Sequence, residues 1–157
     1  MSVETQSAAR SARTVSTAGL ARLRFVNLVV LVLVLIDYGI GMYVNLYVDV
    51  PKSDHGGSIG SAISNGPATI SIHAALGLLL ALGALAILVQ AIMARRWTVV
   101  ILSVVGLFAM VFASLAGTTF TTTGDDADSM AMAVMAGVAV LCYALNLYVL
   151  RPGRNDA

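Results

Sequence analysis

The sequence has few charged residues, one cysteine and two histidines, and each shortage excludes a class of protein. Only 11% of the 157 residues are charged, against roughly a quarter in soluble domains. The net charge of +1 provides no basic surface for a nucleic-acid partner. The single cysteine, Cys142, excludes an intramolecular disulfide and a cysteine-rich metal site, and we predict no metal-ion site. The composition instead predicts a chain that lies in a lipid bilayer.

Apolar residues are abundant and occur in long stretches. They make up 59% of the chain, and a helix needs about 20 of them in succession to cross a membrane. Four stretches reach that length, at residues 25–48, 68–94, 98–118 and 130–150. We therefore predict an all-α fold, a four-helix transmembrane bundle with up-down-up-down topology, over residues 21–157. Residues 1–20 are rich in Ser, Ala and Thr, which is typical of a disordered tail.

The basic residues predict the orientation of the bundle. Eight of the nine lie before the first span, between the second and third, or after the fourth: Arg10, Arg13, Arg22, Arg24, Arg95, Arg96, Arg151 and Arg154. Only Lys52 lies on the other side. Because loops rich in Lys and Arg stay in the cytoplasm, we predict a multi-pass protein of the plasma membrane with both termini, and the tail, in the cytoplasm.

Asp37 is the most unusual residue of the predicted spans. It follows an unbroken aliphatic run near the middle of span one, where a carboxylate costs about 2.5–3.5 kcal/mol. Residues at three- and four-residue steps share a helix face, so Gly41 and Asn45 lie on the same face as Asp37. A carboxyl group at this depth indicates a functional site. The alternative is a hydrogen bond that fixes the packing of the helices.

His73 is the only histidine within a span, about five residues from the start of span two. Tyr43 lies at a similar depth in span one, whereas Asp37 lies deeper by roughly 9 Å of helix rise. We therefore expect no direct bond between His73 and Asp37, and a water molecule or Tyr43 would bridge them. The candidate functional residues are Asp37, Tyr43, Asn45 and His73. The alternative for His73 is a hydrogen bond between helices.

His73 also suggests a cofactor. Haem iron takes axial His or Met ligands, and four-helix bundles hold cofactors between facing helices. Met135 lies at a similar depth to His73 on an inward stripe of span four. The candidate haem b ligands are therefore His73 with Met135, His73 with His55 of the outer loop, or His73 alone in a five-coordinate site.

Residues 72–77, with the sequence IHAALG, follow an outer loop that contains proline. This arrangement loosely resembles one four-helix half of the haem A synthase family, and the resemblance implies a haem ligand at His73. The chain departs from that family because it has no second half and because Ala74 replaces the arginine of the usual His-Arg pair. Residues 41–48 together with His73 are similar to small four-span membrane proteins of actinobacterial type, which implies the fold and the membrane location.

No catalytic motif is present, so we predict no catalytic residue. The leading hypothesis is a non-enzymatic accessory or partner-binding protein of a larger membrane complex. One alternative is a haem protein for electron transfer or haem handling that uses His73. The other is a proton- or ion-coupled transporter that uses Asp37, as a homo-oligomer because four helices leave little room for a pore.

Overall fold

The computed structural model describes residues 3–48 and 59–151. These residues form helices and short connections, and contain no strand. The helices are α1 (Val3–Tyr47), α2 (Ile59–Asn65), α3 (Ala68–Met93), α4 (Trp97–Thr123) and α5 (Asp126–Val149).

Four of these helices are long and apolar enough to cross a membrane. Their candidate spans are Ala18–Tyr47, Ala68–Met93, Trp97–Thr123 and Asp126–Val149. Helix α1 packs against α3 and α5, and α4 packs against the same two helices, so the four form a closed bundle. Large apolar side chains cover its outer surface, as contact with lipid requires. The predicted all-α four-helix transmembrane bundle is confirmed.

The helix ends differ from the predicted ends where polar side chains bond to the backbone. Helix α4 continues to Thr123 instead of ending at residue 118, and threonine hydroxyls in its last turns donate to carbonyls three or four residues earlier. It ends at Gly124, whose φ of 67° lies in the left-handed region that suits glycine. Helix α5 begins at Asp126, before the predicted residue 130, because Asp125 accepts a hydrogen bond from the backbone N–H of Ala127.

Helices also occupy two segments that were predicted without regular structure. Helix α2 lies in the outer loop, between residues 59 and 65; His55 lies outside the described residues. Helix α1 extends back to Val3, through the segment predicted as a disordered tail. That segment contains Ala, Glu, Gln and Arg, which favour helix, and a helix that already exists extends without a new nucleus.

The two ends of the bundle differ in charge. We call the basic end the one where Arg22 and Arg24 of α1, Arg95 and Arg96 of the α3–α4 turn, and Arg151 lie. The acidic end is the opposite one, where α1 and α4 end and where α3 and α5 begin. Asp125, Asp126 and Asp128 lie there.

Candidate functional site

A cavity of about 360 Å³ lies between the helices in the half of the bundle nearer the acidic end. This volume is in the lower part of the range for small-molecule sites, about 300–1,000 Å³. All five helices contribute to its wall, and most of the wall is apolar. The smallest lining residues are Gly41, Ala74, Gly77, Ala81, Ala113, Gly117, Ala133, Ala136 and Ala139. Small side chains on facing helices therefore leave the space open.

His73 and Asp37 form a direct hydrogen bond at the wall of this cavity. Nδ1 of His73 lies 2.8 Å from Oδ1 of Asp37. The expectation that the two would not bond directly is therefore wrong. The expectation was based on the depths of the two Cα atoms along their helices. It did not take into account the space beside Gly41, across which the imidazole reaches. No bridging tyrosine or water is needed.

Gly41 makes this geometry sterically feasible. A Cβ atom at position 41 would lie 3.0 Å from Cε1 and 3.3 Å from Nε2 of His73. The imidazole thus lies against the α1 backbone, in the space that a methyl group would fill. Gly41 is one helical turn from Asp37, so the ring spans that turn and reaches the carboxylate. A side chain at position 41 would push the ring away from Asp37.

Each member of the pair keeps one atom free. Nε2 of His73 and Oδ2 of Asp37 have no hydrogen-bond partner among the described residues. The side chains are 27% and 13% exposed, respectively, and both line the cavity. In a neutral histidine that donates from Nδ1, Nε2 is an acceptor. The pair then has two acceptors beyond its own hydrogen bond and carries a net charge of −1; one added proton makes it neutral.

The polar residues of the cavity wall are concentrated towards the acidic end. Asn45, Thr118, Thr121 and Ser129 line it there, and Ser129 Oγ donates to Oδ1 of Asn45 across a distance of 2.8 Å. This bond connects α1 to α5. No Lys or Arg side chain in the described part of the chain lines the cavity. A ligand in the cavity would therefore meet neutral polar groups at one end and the His73–Asp37 pair further in.

Two predicted site residues lie away from the pair. Tyr43 is 53% exposed on the outer surface, and its ring packs 5.4 Å from that of Tyr47. Met135 is half-buried and does not line the cavity, so the structure does not bring it to His73. The thioethers that share the cavity with His73 are those of Met42, Met110 and Met132. Met132 shares the cavity-facing stripe of α5 with Ala136 and Ala139, and Met135 lies at the edge of that stripe.

A second polar cluster, the closed cluster, ties three helices together nearer the basic end. It consists of Asn27, Ser103, Tyr143 and Asn146, all fully buried. Asn27 Nδ2 donates to the backbone oxygen of Tyr143 at 2.8 Å. Asn146 Nδ2 lies 3.2 Å from Oδ1 of Asn27 and 3.1 Å from Oγ of Ser103, and donates to both. Polar bonds of this kind hold membrane helices together.

Sequence reasoning missed Asn27, although a signal for it exists. Buried positions in α1 recur at alternating three- and four-residue steps, and Asn27, Val30, Val34, Asp37, Gly41 and Val44 all follow this rule. Extending the stripe backwards from Asp37 therefore leads to Asn27. The residue lies close to the predicted start of the span, where a polar amide near the membrane interface is not unusual.

Tyr143 connects the closed cluster to the cavity wall. Its hydroxyl donates to Sδ of Met110 at 3.7 Å, and Met110 lines the cavity. The ring is fully buried against α4, where a Cβ atom at Gly106 would lie 3.0 Å from Cζ. The Tyr143 side chain thus fills the bundle on the basic side of the cavity.

Comparison of the chain with protein-family models, curated proteins and solved structures gives no match. The chemistry of the site therefore has to be argued from its own residues. A hydrogen-bonded histidine and aspartate with two free atoms at an apolar cavity can take up a proton, accept hydrogen bonds from a cation, or place Nε2 on a metal centre.

Proposed function

We propose that this protein is a proton- or ion-coupled membrane transporter in which His73 and Asp37 form the proton-binding group. The observation that supports the proposal is the 2.8 Å bond between these two titratable side chains at an intramembrane cavity. Ionisable residues inside a membrane are rare, and they mark proton relays and ion pathways. The pair joins α1 to α3, so a change in its protonation acts on the contact between two spans.

Charge balance is the physical reason for the coupling. An isolated charge in an apolar environment is strongly disfavoured. With a neutral histidine the pair has a net charge of −1, so the cavity favours uptake of a positive charge. A proton on His73 supplies this positive charge, and so does a bound cation. Since the pair accommodates one compensating charge at a time, binding of a cation releases the proton.

Proton flux in proteoliposomes tests the proposal. Vesicles that contain the purified protein and a trapped pH-sensitive dye are given a pH gradient. We expect the protein to accelerate its decay and Asp37→Asn to abolish the acceleration, because the amide cannot carry the negative charge. Asp126→Asn at the acidic end is the matched control and should retain the flux. Equal flux in Asp37→Asn and in the unchanged protein would rule out this role.

A haem protein is the second candidate function, and the free Nε2 atom supports it. Histidines that ligate metals usually donate their other N–H to a carboxylate, and the 2.8 Å contact between Nδ1 of His73 and Oδ1 of Asp37 fits that arrangement. His73 would hold the iron, and Met110 or Met132 of the same cavity offers a thioether. The resemblance of residues 72–77 to haem A synthases points the same way. A bound haem would supply one-electron chemistry. The absence of Lys and Arg from the described cavity wall, where they would pair with the carboxylates of the macrocycle, makes haem the second choice.

An absorption spectrum separates the two candidates. The protein is purified from cells with ample haem, and spectra are taken before and after reduction with dithionite. A haem protein would show a Soret band that His73→Ala removes and Met135→Leu leaves unchanged. A spectrum without such a band would exclude haem.

The accessory role that led the predictions from sequence stays a prediction, as does self-association. Support comes from the apolar outer surface and from the absence of a catalytic motif in the sequence. Isolation in a mild detergent should then yield a stable complex with a second membrane protein or with another copy. The mass of the purified complex tells these outcomes apart.

The proposed orientation places both termini in the cytoplasm of a plasma membrane and the acidic end outside. The support is the distribution of basic residues, eight of nine on one side. In a Cys142→Ala background, a cysteine at Ser129 should react with a membrane-impermeant thiol reagent on intact cells, and a cysteine at Arg95 should not. The reverse labelling would invert the topology.

A further inference from the structure

We propose that the cavity binds a small lipophilic ammonium ion, that is, a primary amine on an apolar body. This inference rests on the proposed transport function and names its substrate class. The geometry that carries it is the hydrogen-bonded pair, in which Oδ2 of Asp37 and Nε2 of His73 have no partner among the described residues, in the wall of a largely apolar cavity.

The hydrogen-bonding capacity of the pair matches an ammonium group. A primary ammonium has three N–H donors and no acceptor. The pair, with its proton on Nδ1 of His73, has a carboxylate oxygen and an imidazole nitrogen free to accept. Charge-assisted hydrogen bonds of this kind are roughly twice as strong as neutral ones. The positive charge of the ligand also cancels the net charge of the pair, which an alcohol of the same shape cannot do.

The remainder of the cavity suits an apolar body of limited size. The wall around the pair consists of aliphatic side chains and the small residues of four spans. Burial of apolar surface contributes about 25 cal/mol per Å². The cavity volume of about 360 Å³ limits the occupant to a small molecule. A ligand with one cationic end and one short apolar end satisfies both parts of the wall.

The charge at the acidic end favours the approach of cations. Asp125, Asp126 and Asp128 lie there, and no arginine of the described residues does. A surface with this excess of negative charge raises the local concentration of cations and slows the approach of anions. The charged surface and the free acceptors of the cavity thus favour the same class of ligand.

Competition with protons follows from the same geometry. The titratable groups that line the cavity are Asp37 and Tyr38 on α1 and His73 on α3; α2, α4 and α5 contribute none from their described residues. When the ammonium ion binds the protonated pair, the proton leaves to solvent, so that the charge in the cavity is conserved.

Calorimetric titration of the full-length protein in detergent tests the inference. The test ligands are 2-phenylethylammonium and 2-phenylethanol, which share their apolar body and differ in charge. We expect saturable binding of the amine and binding of the alcohol weaker by about 10- to 100-fold, the usual loss for a hydrogen bond to a charged group. Asp37→Asn should weaken amine binding by a similar factor, and Asp126→Asn, which removes only one of several surface charges, should change it by less than about twofold. Helix content measured by circular dichroism establishes that each variant is folded.

Two results would overturn the inference. One is equal affinity for the amine and the alcohol, which would show that only the apolar body is recognised. The other is unchanged amine binding in Asp37→Asn. Flux that depends on Asp37 without amine binding would leave the transport proposal standing and remove this substrate class. Amine binding without flux would remove the transport proposal and leave the amine site standing.

Discussion

The bundle contains two polar clusters in opposite halves, and they differ in what surrounds them. In the closed cluster, Asn27, Ser103, Tyr143 and Asn146 are fully buried and bond to one another. In the pair near the acidic end, His73 and Asp37 share one bond and each leaves an atom open to the cavity. A polar group in a membrane can therefore serve packing or ligand binding, and the space beside it distinguishes the two roles.

The closed cluster has one imperfection that sharpens this contrast. Oδ1 of Asn146 is buried and has no hydrogen-bond partner, which costs about 1–3 kcal/mol. Both amide hydrogens of the same side chain are used, one to Asn27 and one to Ser103. The cluster thus tolerates an unpaired acceptor in order to tie α5 to α1 and α4. The loss of a member should destabilise the fold, whereas changes at the open pair should affect binding.

The largest effect is expected for Tyr143→Ala. Removal of this fully buried ring empties the space between α4 and α5 beside Gly106, and such truncations cost about 3–5 kcal/mol. Thermal or denaturant unfolding in detergent measures the loss. Tyr148→Ala on the same helix, 65% exposed, is the control and should change stability by less than about 0.5 kcal/mol. Equal effects would mean that the ring is not a packing element.

Gly41→Ala should have a smaller effect, and mainly on binding. The new methyl group would meet the imidazole at 3.0 Å and move Nε2 and Nδ1 from their positions. We expect amine affinity to fall about tenfold, which corresponds to about 1.4 kcal/mol. Gly39→Ala is the matched control because nothing lies within 4 Å of its Cβ position. Both variants should unfold at or above the original temperature, since Ala favours helix over Gly. A strong destabilisation by Gly41→Ala alone would place His73 among the packing residues.

The smallest effect is expected for Ser129→Ala. This removes the bond to Asn45 at the acidic end of the cavity, which is exposed and contributes about 0.5 kcal/mol. Stability should fall by that amount, and amine affinity should stay within about twofold. A tenfold loss of affinity would instead make Ser129 and Asn45 part of the binding site.

The spans could be predicted from the sequence because hydrophobic length alone defines them. The ends could not, since they depend on local features that hydrophobic length does not report: the left-handed Gly124 that ends α4 and the Asp125 side chain that caps α5. Asp125 stands directly before an apolar helix, so its capping role was available as a signal. The extra length of α4 was not, because threonine alone does not favour helix.

The individual polar residues of the site could be predicted from the sequence, but their arrangement in space could not. Asp37 and His73 stand out because charged and titratable side chains are rare in membrane spans. Their bond depends on a lateral approach of α1 to α3 that residue spacing along each helix does not reveal. Tyr43 was chosen by depth, and Met135 by depth and by its place on a predicted inward stripe. The structure places Tyr43 on the outer surface and Met135 outside the cavity wall. The depth of a residue in the membrane follows from counting residues along its helix. The direction in which its side chain points around the helix axis matters as much, and whether it faces the cavity depends on where the neighbouring helix lies.

The glycine at position 41 has a consequence for how this sequence can change over time. The His73 ring occupies the volume that any side chain at position 41 would need. A methyl group at 41 would require the ring to shift by a few tenths of an ångström as long as the histidine is present, and would no longer meet the ring once the histidine is gone. The two positions should therefore covary among related proteins. Proteins that retain the imidazole at position 73 should retain the glycine at position 41, and proteins that lack the imidazole should vary at both positions.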